Sequence, residues 1–358
     1  MKAMKLCSII FGLLLTSAVQ ASVVINEENF PDKAFRSLIA NMPEGKDGIL
    51  TDEEIAGIEE LEVLWNLPNE VSSLKGIEFF TNLKTFDLAY RHIRELDFSA
   101  NKKLEFIRMD LLPLEKINLK GLTSLKYFIC QRSALSELDV SDCTELEFLC
   151  CDECSLKSFD LSNNIKLKKL VLWATQLPTL DLSNNINLKE VDLWDNQLTT
   201  LDLSNNINLE KVDCSYNQLT SLILPRTETL TDVKCFANHL SGESMDQVIA
   251  MLPIVAKGDF YPYIEIANVV DEGPRTEFNV CTTIQVEAAK SKNWTVYGIY
   301  HVTSGLWDEY AGSEPTSIQP AIQGSAASDC YSLDGRRINW QDRYKGIYIQ
   351  NGKKVIVK

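Results

Sequence analysis

Asp160-Leu-Ser-Asn-Asn164 recurs as Asp181-Leu-Ser-Asn-Asn185 and again as Asp202-Leu-Ser-Asn-Asn206, a period of 21 residues. Self-similarity at a short fixed period marks an architecture of stacked units. Extending the frame both ways gives units that open at Leu61, Leu83, Leu104, Leu125, Leu146, Leu167, Leu188, Leu209 and Leu230; the first step is 22 residues and every later step 21. With the opening leucine as offset 0, apolar residues recur at offsets 0, 3, 5, about 8, 10, 13 and 15. The offset-10 column alone reads Val71, Ile93, Leu114, Leu135, Leu156, Leu177, Leu198, Leu219 and Leu240, apolar in all nine units.

The best unit, Leu188-x-x-Val191-x-Leu193-x-x-Asn196-x-Leu198, matches the pattern of a leucine-rich repeat. The spacing therefore predicts a leucine-rich-repeat solenoid: α/β in class, with a parallel concave sheet and few convex helices. Offsets 0, 3 and 5 flank a short strand, and no coil can bury its leucines alone, so stacking builds the core. Twenty-one residues leave little room for a convex helix, and short extended or 3₁₀ segments are expected there. Asn196, Asn217 and Asn238 at offset 8 are expected to turn their amides onto backbone groups after the strand.

The frame divides the chain. Residues 1–21 read as a signal peptide, with Lys2 and Lys5, an apolar run from Ile9 to Leu15, and small residues before the cleavage position. Residues 22–58 read as an N-terminal cap of two short helices around Lys46-Asp47-Gly48. Nine repeats fill 59–241, and residues 242–311 read as an α/β C-terminal cap that covers the open edge of the sheet. Residues 312–325 read as a linker. Residues 326–358 carry Asp334-Gly335 and Asn351-Gly352 between alternating apolar residues, the signature of β-hairpins, and predict a small β unit.

Composition narrows the partners. Removing the signal takes away two of the 35 basic residues and none of the 50 acidic ones, which leaves a net charge of −17. A chain this acidic repels phosphate backbones and anionic lipid, so nucleic acid and bare membrane are poor partners. No segment after the signal is apolar over the roughly 20 residues of a spanning helix. His92, His239 and His301 lie in distant units, and no nucleophile–base pair, zinc motif or phosphate loop is present. The chain reads as no enzyme, with no cofactor implied.

Three stretches resemble the leucine-rich-repeat proteins exported by Bacteroides- and Prevotella-type bacteria: Ile25-Asn-Glu-Glu-Asn-Phe-Pro-Asp-Lys-Ala-Phe-Arg36 with Asp47 to Ile55, Leu74-Lys-Gly-Ile-Glu-Phe-Phe-Thr-Asn-Leu83 with the Leu-Asp-Leu-Ser-Asn-Asn units, and Met245 to Pro253 with Val280-Cys-Thr-Thr283 and Trp294. Leu333-Asp-Gly-Arg-Arg337, Lys345-Gly-Ile-Tyr348 and Lys353-Lys-Val-Ile-Val-Lys358 are similar to a type IX secretion sorting domain. The resemblance implies an exported protein, extracellular or at the outer-membrane surface, that acts as an adhesin or binds ligands.

A solenoid needs no aromatic side chains on the solvent face of its concave sheet. Offsets 2, 4, 6 and 7 face that way, and offset 6 holds Trp173, Trp194 and Phe236, with Trp65, Tyr90, Phe106, Tyr127, Phe148 and Tyr216 beside it. Asp110, Asp152, Glu153, Glu190, Asp192, Asp195 and Asp213 make the same face acidic. Trp173, Trp194, Phe236, Tyr216, Tyr127, Phe148, Asp152, Asp192 and Asp195 are therefore the candidate ligand-binding residues, suited to a basic or neutral extracellular protein or peptide, or to a glycan stacked on Trp173 and Trp194. The blander alternative is that the rings cover one another or pack under a cap.

Three further patterns read as structural. Asp47-Gly48 with Glu54 looks like half of a calcium loop, but Pro43 and Gly45 stand where two ligands belong. Cys151-Asp-Glu-Cys154 is formally C-x-x-C, yet both cysteines fall on core or turn offsets, and Cys130 and Cys151, like Cys214 and Cys235, recur one unit apart as buried thiols would. Asp139, Asp160, Asp181 and Asp202 align on the convex side, where Asp accepting backbone hydrogen bonds in a turn is the simplest role.

Overall fold

The computed structural model describes residues 22–61, 70–263, 265–267, 277–301, 304–313, 330–332, 337–338, 346–350 and 353–357. Residues 1–21, read above as a signal, Trp65 and most of residues 312–325 lie outside the described residues. The chain forms two compact units, Met1–Leu146 and Glu147–Lys358.

In the first unit, Ser22–Val24 pairs antiparallel with Ile49–Thr51. Helix α1 (Lys33–Asn41) starts at Asp32, whose carboxylate accepts from the Ala34 and Phe35 amides, and it buries Phe35 and Ile39. Helix α2 (Asp52–Gly57) begins with a capping box in which Thr51 and Glu54 bond each other's backbone N–H. Glu54 is thus spent on the helix start, and Gly48 adopts the left-handed backbone of a tight turn at φ 84°, so the loop works as a cap turn. The strands Thr85–Ala89, Phe106–Asp110 and Tyr127–Gln131 then pair in parallel, register by register at the 21-residue step. On the other side of the coils Glu95–Asp97 pairs parallel with Lys116–Asn118, one of the expected extended segments.

In the second unit Phe148–Cys150, Lys169–Val171, Glu190–Asp192, Lys211–Asp213 and Asp232–Lys234 form one parallel ladder. The cap continues it: Gly258–Tyr261 adds beside Asp232–Lys234, and Trp294–His301 adds beside Gly258–Tyr261. Leu306–Glu309 closes the edge as an antiparallel partner of Trp294–His301. Helices α3 (Glu243–Met251) and α4 (Thr283–Lys290) cover the core here, joined by Gln285 Nε2 donating to Asp246 Oδ1 at 2.6 Å. Lys292 Nζ donates to the Ile249, Ala250 and Leu252 carbonyls at 2.8, 3.0 and 2.8 Å and so caps the C-terminus of α3. Trp294 is buried with its indole N–H on the Pro253 carbonyl. Gly258 lies so close to that ring that a Cβ would stand 2.7 Å from it. Near the C-terminus, Cys330–Ser332, Arg337–Ile338, Gly346–Gln350 and Lys353–Val357 make a four-stranded antiparallel sheet. Gln350 pairs with Lys353 at the end of this hairpin; Asn351-Gly352 and Asp334-Gly335 lie outside the described residues.

All nine offset-10 side chains are buried. Polar groups complete the stack. Asn217 donates to the Leu193 and Cys214 carbonyls at 2.9 and 3.1 Å, and its Oδ1 accepts from the Leu198 amide at 3.0 Å. Asn196 and Asn238 repeat this one coil before and after. Asn279, outside any repeat, extends the ladder into the cap: it donates to the Cys235 and Pro262 carbonyls and accepts from the Leu240 amide, each at 2.7 Å. A second ladder runs through the last asparagine of each Asp-Leu-Ser-Asn-Asn. Asn185 donates to the Leu161 and Asn164 carbonyls, and Asn206 to those of Leu182 and Asn185. On that side Asp139, Asp160, Asp181 and Asp202 each accept from the amide two residues on at 2.9 Å, which is turn chemistry.

The offset-7 residues Tyr90, Leu111, Arg132, Glu153, Ala174, Asp195, Tyr216 and Ala237 all have φ between 50° and 58°. None is glycine, so each bears the steric cost of a left-handed backbone, about 1–2 kcal/mol. Inter-coil bonds hold them there, such as Tyr216 N–H to the Phe236 carbonyl at 3.0 Å. Asn217→Ala strands one buried amide and two carbonyls, and is expected to cost about 2–4 kcal/mol. The exposed Asn184→Ala should stay within about 0.5 kcal/mol. Urea midpoints of the two variants check this, and equal midpoints would refute the load assigned to the ladder.

Candidate functional site

The open face of the parallel sheet in the second unit is where the predicted site residues gather. Trp173 and Trp194 are half-buried and meet edge to face, with centroids 5.6 Å apart at 63°. Trp194 packs in the same way on Tyr216 at 5.3 Å, and Tyr216 on Phe236 at 5.4 Å. Phe236 then meets Trp307 at 5.3 Å. Trp307 touches Tyr261 and Tyr300, and Tyr261 stacks on Tyr297 at 4.8 Å. The rings thus form one continuous run from the repeats onto the cap. Trp307, Tyr261, Tyr297 and Tyr300 were not among the candidates, because they lie beyond the 21-residue frame.

Offset 6 does not stand uniformly in solvent as the frame predicts. Phe236 and Asp152 are 6% and 3% exposed, and Ser215 is fully buried. In this unit the strands proper end at offset 4, so offset 6 lies in the turn that follows them. Phe236 is further packed against Trp307. The rings therefore do cover one another in part, while Trp173, Trp194 and Tyr216 keep partly open edges. Phe148 is half-buried in the first strand of this unit. Tyr127 belongs to the first unit, where it is 41% exposed and packs on Phe106 at 6.3 Å.

Carboxylates run beside the rings. Asp192 and Asp213 are in-register partners on neighbouring strands and point out of the same face. Asp192 Oδ1 accepts from the Trp194 amide at 3.2 Å, and Asp213 Oδ1 from the Ser215 amide at 3.1 Å. Burial, then the neighbouring Asp213 charge, push the Asp192 carboxyl up to about 6. Burial also raises Asp213 and Asp232. Lys234 lies 3.7 Å from Asp213 and 5.7 Å from the centre of the Tyr261 ring. Asp192, Asp195, Asp232 and Asp259 have no ion-pair partner among the described residues. Asp195 itself is exposed.

The thiols offer no second centre. Cys130, Cys143, Cys150, Cys151, Cys154, Cys214, Cys235 and Cys281 are all buried, and burial raises the pKa of Cys151, Cys214 and Cys235 far above the ordinary thiol range. Cys154 Sγ faces the Asp152 carbonyl at 3.6 Å and Cys150 Sγ the Asp152 carboxylate at 3.4 Å. No group of three or more His, Cys, Asp or Glu side chains among the described residues is placed to hold a metal ion.

Parallel strands at one per coil, a buried leucine in each, and an asparagine ladder define a leucine-rich-repeat solenoid, and a solved structure agrees. The functional domain of InlJ from Listeria monocytogenes, which includes a cysteine ladder, matches with a TM-score of 0.61 at 25% identity over 79% of this chain. The match covers 58% of that domain, so this chain spans little more than half its length. An internalin C2 of the same organism matches at a TM-score of 0.43 and 21% identity, over 58% of this chain and 98% of that one. The leucine-rich repeat domain of APL1B matches at 0.46 and 15%, over 70% and 66%. No family model and no curated protein sequence matches the chain.

Because Asp192 holds its proton more tightly folded than unfolded, its contribution to stability is greatest below about pH 4 and is lost as pH rises to about 6. Asp192→Asn keeps an acceptor for the Trp194 amide without the charge. It should raise Tm at neutral pH and flatten the pH dependence between about 4 and 7. A variant less stable than the parent at neutral pH would contradict this.

Proposed function

We propose that this chain is a secreted or cell-surface binding protein, adhesin-like, that captures a protein or peptide ligand on the aromatic and acidic face of its repeat sheet, the face the repeat spacing assigns as concave. The observation that carries the reading is the run of rings from Trp173 through Trp194, Tyr216 and Phe236 to Trp307 beside charged carboxylates. The fold requires neither on that face, and buried like charges lower stability, which is common where a site serves a ligand. Large aromatic side chains with few rotamers to freeze supply much of the energy of protein interfaces.

A glycan is the second reading, resting on the same two tryptophans. Their 63° interplanar angle offers one sugar ring a single indole rather than a shared flat platform, which favours the protein reading.

Export is part of the proposal. The signal-like segment 1–21 and the sorting-like unit 326–358 fit passage to the outer-membrane surface or the medium.

Two outcomes are expected. In a screen of purified chain against extracellular proteins and glycans, Trp173→Ala/Trp194→Ala should weaken the captured ligand about thirtyfold, or about 2 kcal/mol; a ligand held equally by the double variant would move the site off this face. Deleting residues 326–358 in a bacterium with type IX secretion should leave the protein in the periplasm, and undiminished surface display would refute the sorting role.

A further inference from the structure

Each unit shows once how this chain seats a cation among its own carboxylates. In the first unit Arg108 reaches Asp110 at 2.9 Å and Asp87 on the neighbouring strand at 3.6 Å. In the second unit Lys234 lies between the Asp213 carboxylate and the Tyr261 ring. Asp192 has an acidic neighbour of the same kind but no ion-pair partner of its own among the described residues. A carboxylate, Asp213, stands on the next strand in register, and Trp194 and Tyr216 meet edge to face at 5.3 Å on the coils that carry them. Lys234 is the ion-pair partner of Asp213, and two carboxylates therefore share one positive charge.

We propose that Asp192 and Asp213, with Trp194 and Tyr216, form the seat for a guanidinium group, an arginine side chain of an extended basic peptide. This deepens the function proposed above and rests on it. Neighbouring strands lie about 4.8 Å apart, and a planar fork of donors spans two carboxylates at that separation better than a point charge does. The indole and phenol faces accept a cation that is being desolvated.

The seat is pH-sensitive. Asp192 is faced by Asp213 on one neighbouring strand, Val171 on the other, Asp152 beyond it and Lys234 two strands away. With the Asp192 proton bound below about 6, the seat loses half its attraction. Affinity for a cation should fall about tenfold from pH 7 to pH 5 as that group protonates.

The test uses the full chain and two hexapeptides, hexa-arginine and its neutral isostere hexa-citrulline, with binding read by calorimetry and tryptophan fluorescence. Hexa-arginine is expected to bind and hexa-citrulline to bind at least tenfold more weakly. Asp192→Asn/Asp213→Asn should lose at least tenfold in hexa-arginine affinity, and Asp160→Asn/Asp181→Asn, exposed carboxylates on the opposite side, should lose less than twofold. Circular dichroism of each variant checks that the fold persists. Equal losses in both double variants would mean diffuse attraction to an acidic chain and would overturn the seat, as would hexa-arginine binding that Asp192→Asn/Asp213→Asn leaves intact. A neutral or acidic ligand lost in Trp173→Ala/Trp194→Ala would overturn the arginine seat while leaving the aromatic face as the binding surface.

Discussion

Everything in this fold depends on pairing the backbone groups that each coil turns inward after its strand. A 21-residue coil has a strand of only three to five residues, and the chain must then bend into the core. The bend exposes amides and carbonyls to a leucine interior, where an unpaired group costs about 1–3 kcal/mol. The offset-8 asparagine answers this with two donors and one acceptor, and it reaches across coils. Asn217 takes carbonyls from its own coil and the one before, and serves an amide of the one before. The coils that open at Leu167, Leu188 and Leu209 are thus each completed by their successor, and the last coil needs a successor that is not a repeat. Asn279 fills that place. The C-terminal cap is therefore a polar plug as well as an apolar lid.

The apolar columns were legible because a stacked architecture writes its core at a constant interval, and the caps because the interval stops. What the interval does not carry was not legible. Asn279 follows the strand Gly258–Tyr261 through an insertion, so no leucine spacing points to it. The left-handed column at offset 7 gave no glycine to betray it; Tyr, Leu, Arg and Ala occupy it because inter-coil hydrogen bonds override local preference. The second asparagine ladder was visible as identity between repeats, yet a polar residue in a turn reads as solvent-facing until the stack is built. The site was half legible: Trp173, Trp194, Tyr216 and Asp192 followed from outward offsets. The burial of Phe236 and Asp152 did not follow, and Trp307 arrives from a hairpin that the frame does not describe.

The two chemistries on the sheet face differ in what they ask of the fold. The rings bury area against one another, and each edge-to-face pair is worth about 0.5–1.5 kcal/mol, so they pay for part of their own order. Asp192 and Asp213 gain less, since among the described residues only Asp213 has an ion-pair partner, Lys234 at 3.7 Å. Their strands are in register, so the like charges cannot separate without breaking the ladder. Lys169 pairs with Glu190 on this face at 2.7 Å, whereas Asp232 and Asp259 form a second in-register acidic pair. A neutral or basic residue at position 192 would fit the same outward offset, since Val171 and Lys234 occupy it on nearby coils. The Asp192–Asp213 pair falls on the two coils whose Trp194 and Tyr216 rings meet edge to face.

The position of that run also bears on how a ligand would be held. Trp307 is carried by Leu306–Glu309, which is hydrogen-bonded antiparallel to Trp294–His301, itself anchored by the buried Trp294 ring over Gly258. The far end of the ring row is consequently fixed by the cap, and the near end by the strands of the repeats. Side chains ordered before binding lose little entropy on contact, which is where interfaces of modest area find their affinity. The price appears in the free protein as packed, half-buried rings and a carboxyl displaced to about 6. The second has two causes, the burial of Asp192 in this face and the charge of Asp213 on the next strand, and both are set by the strand register.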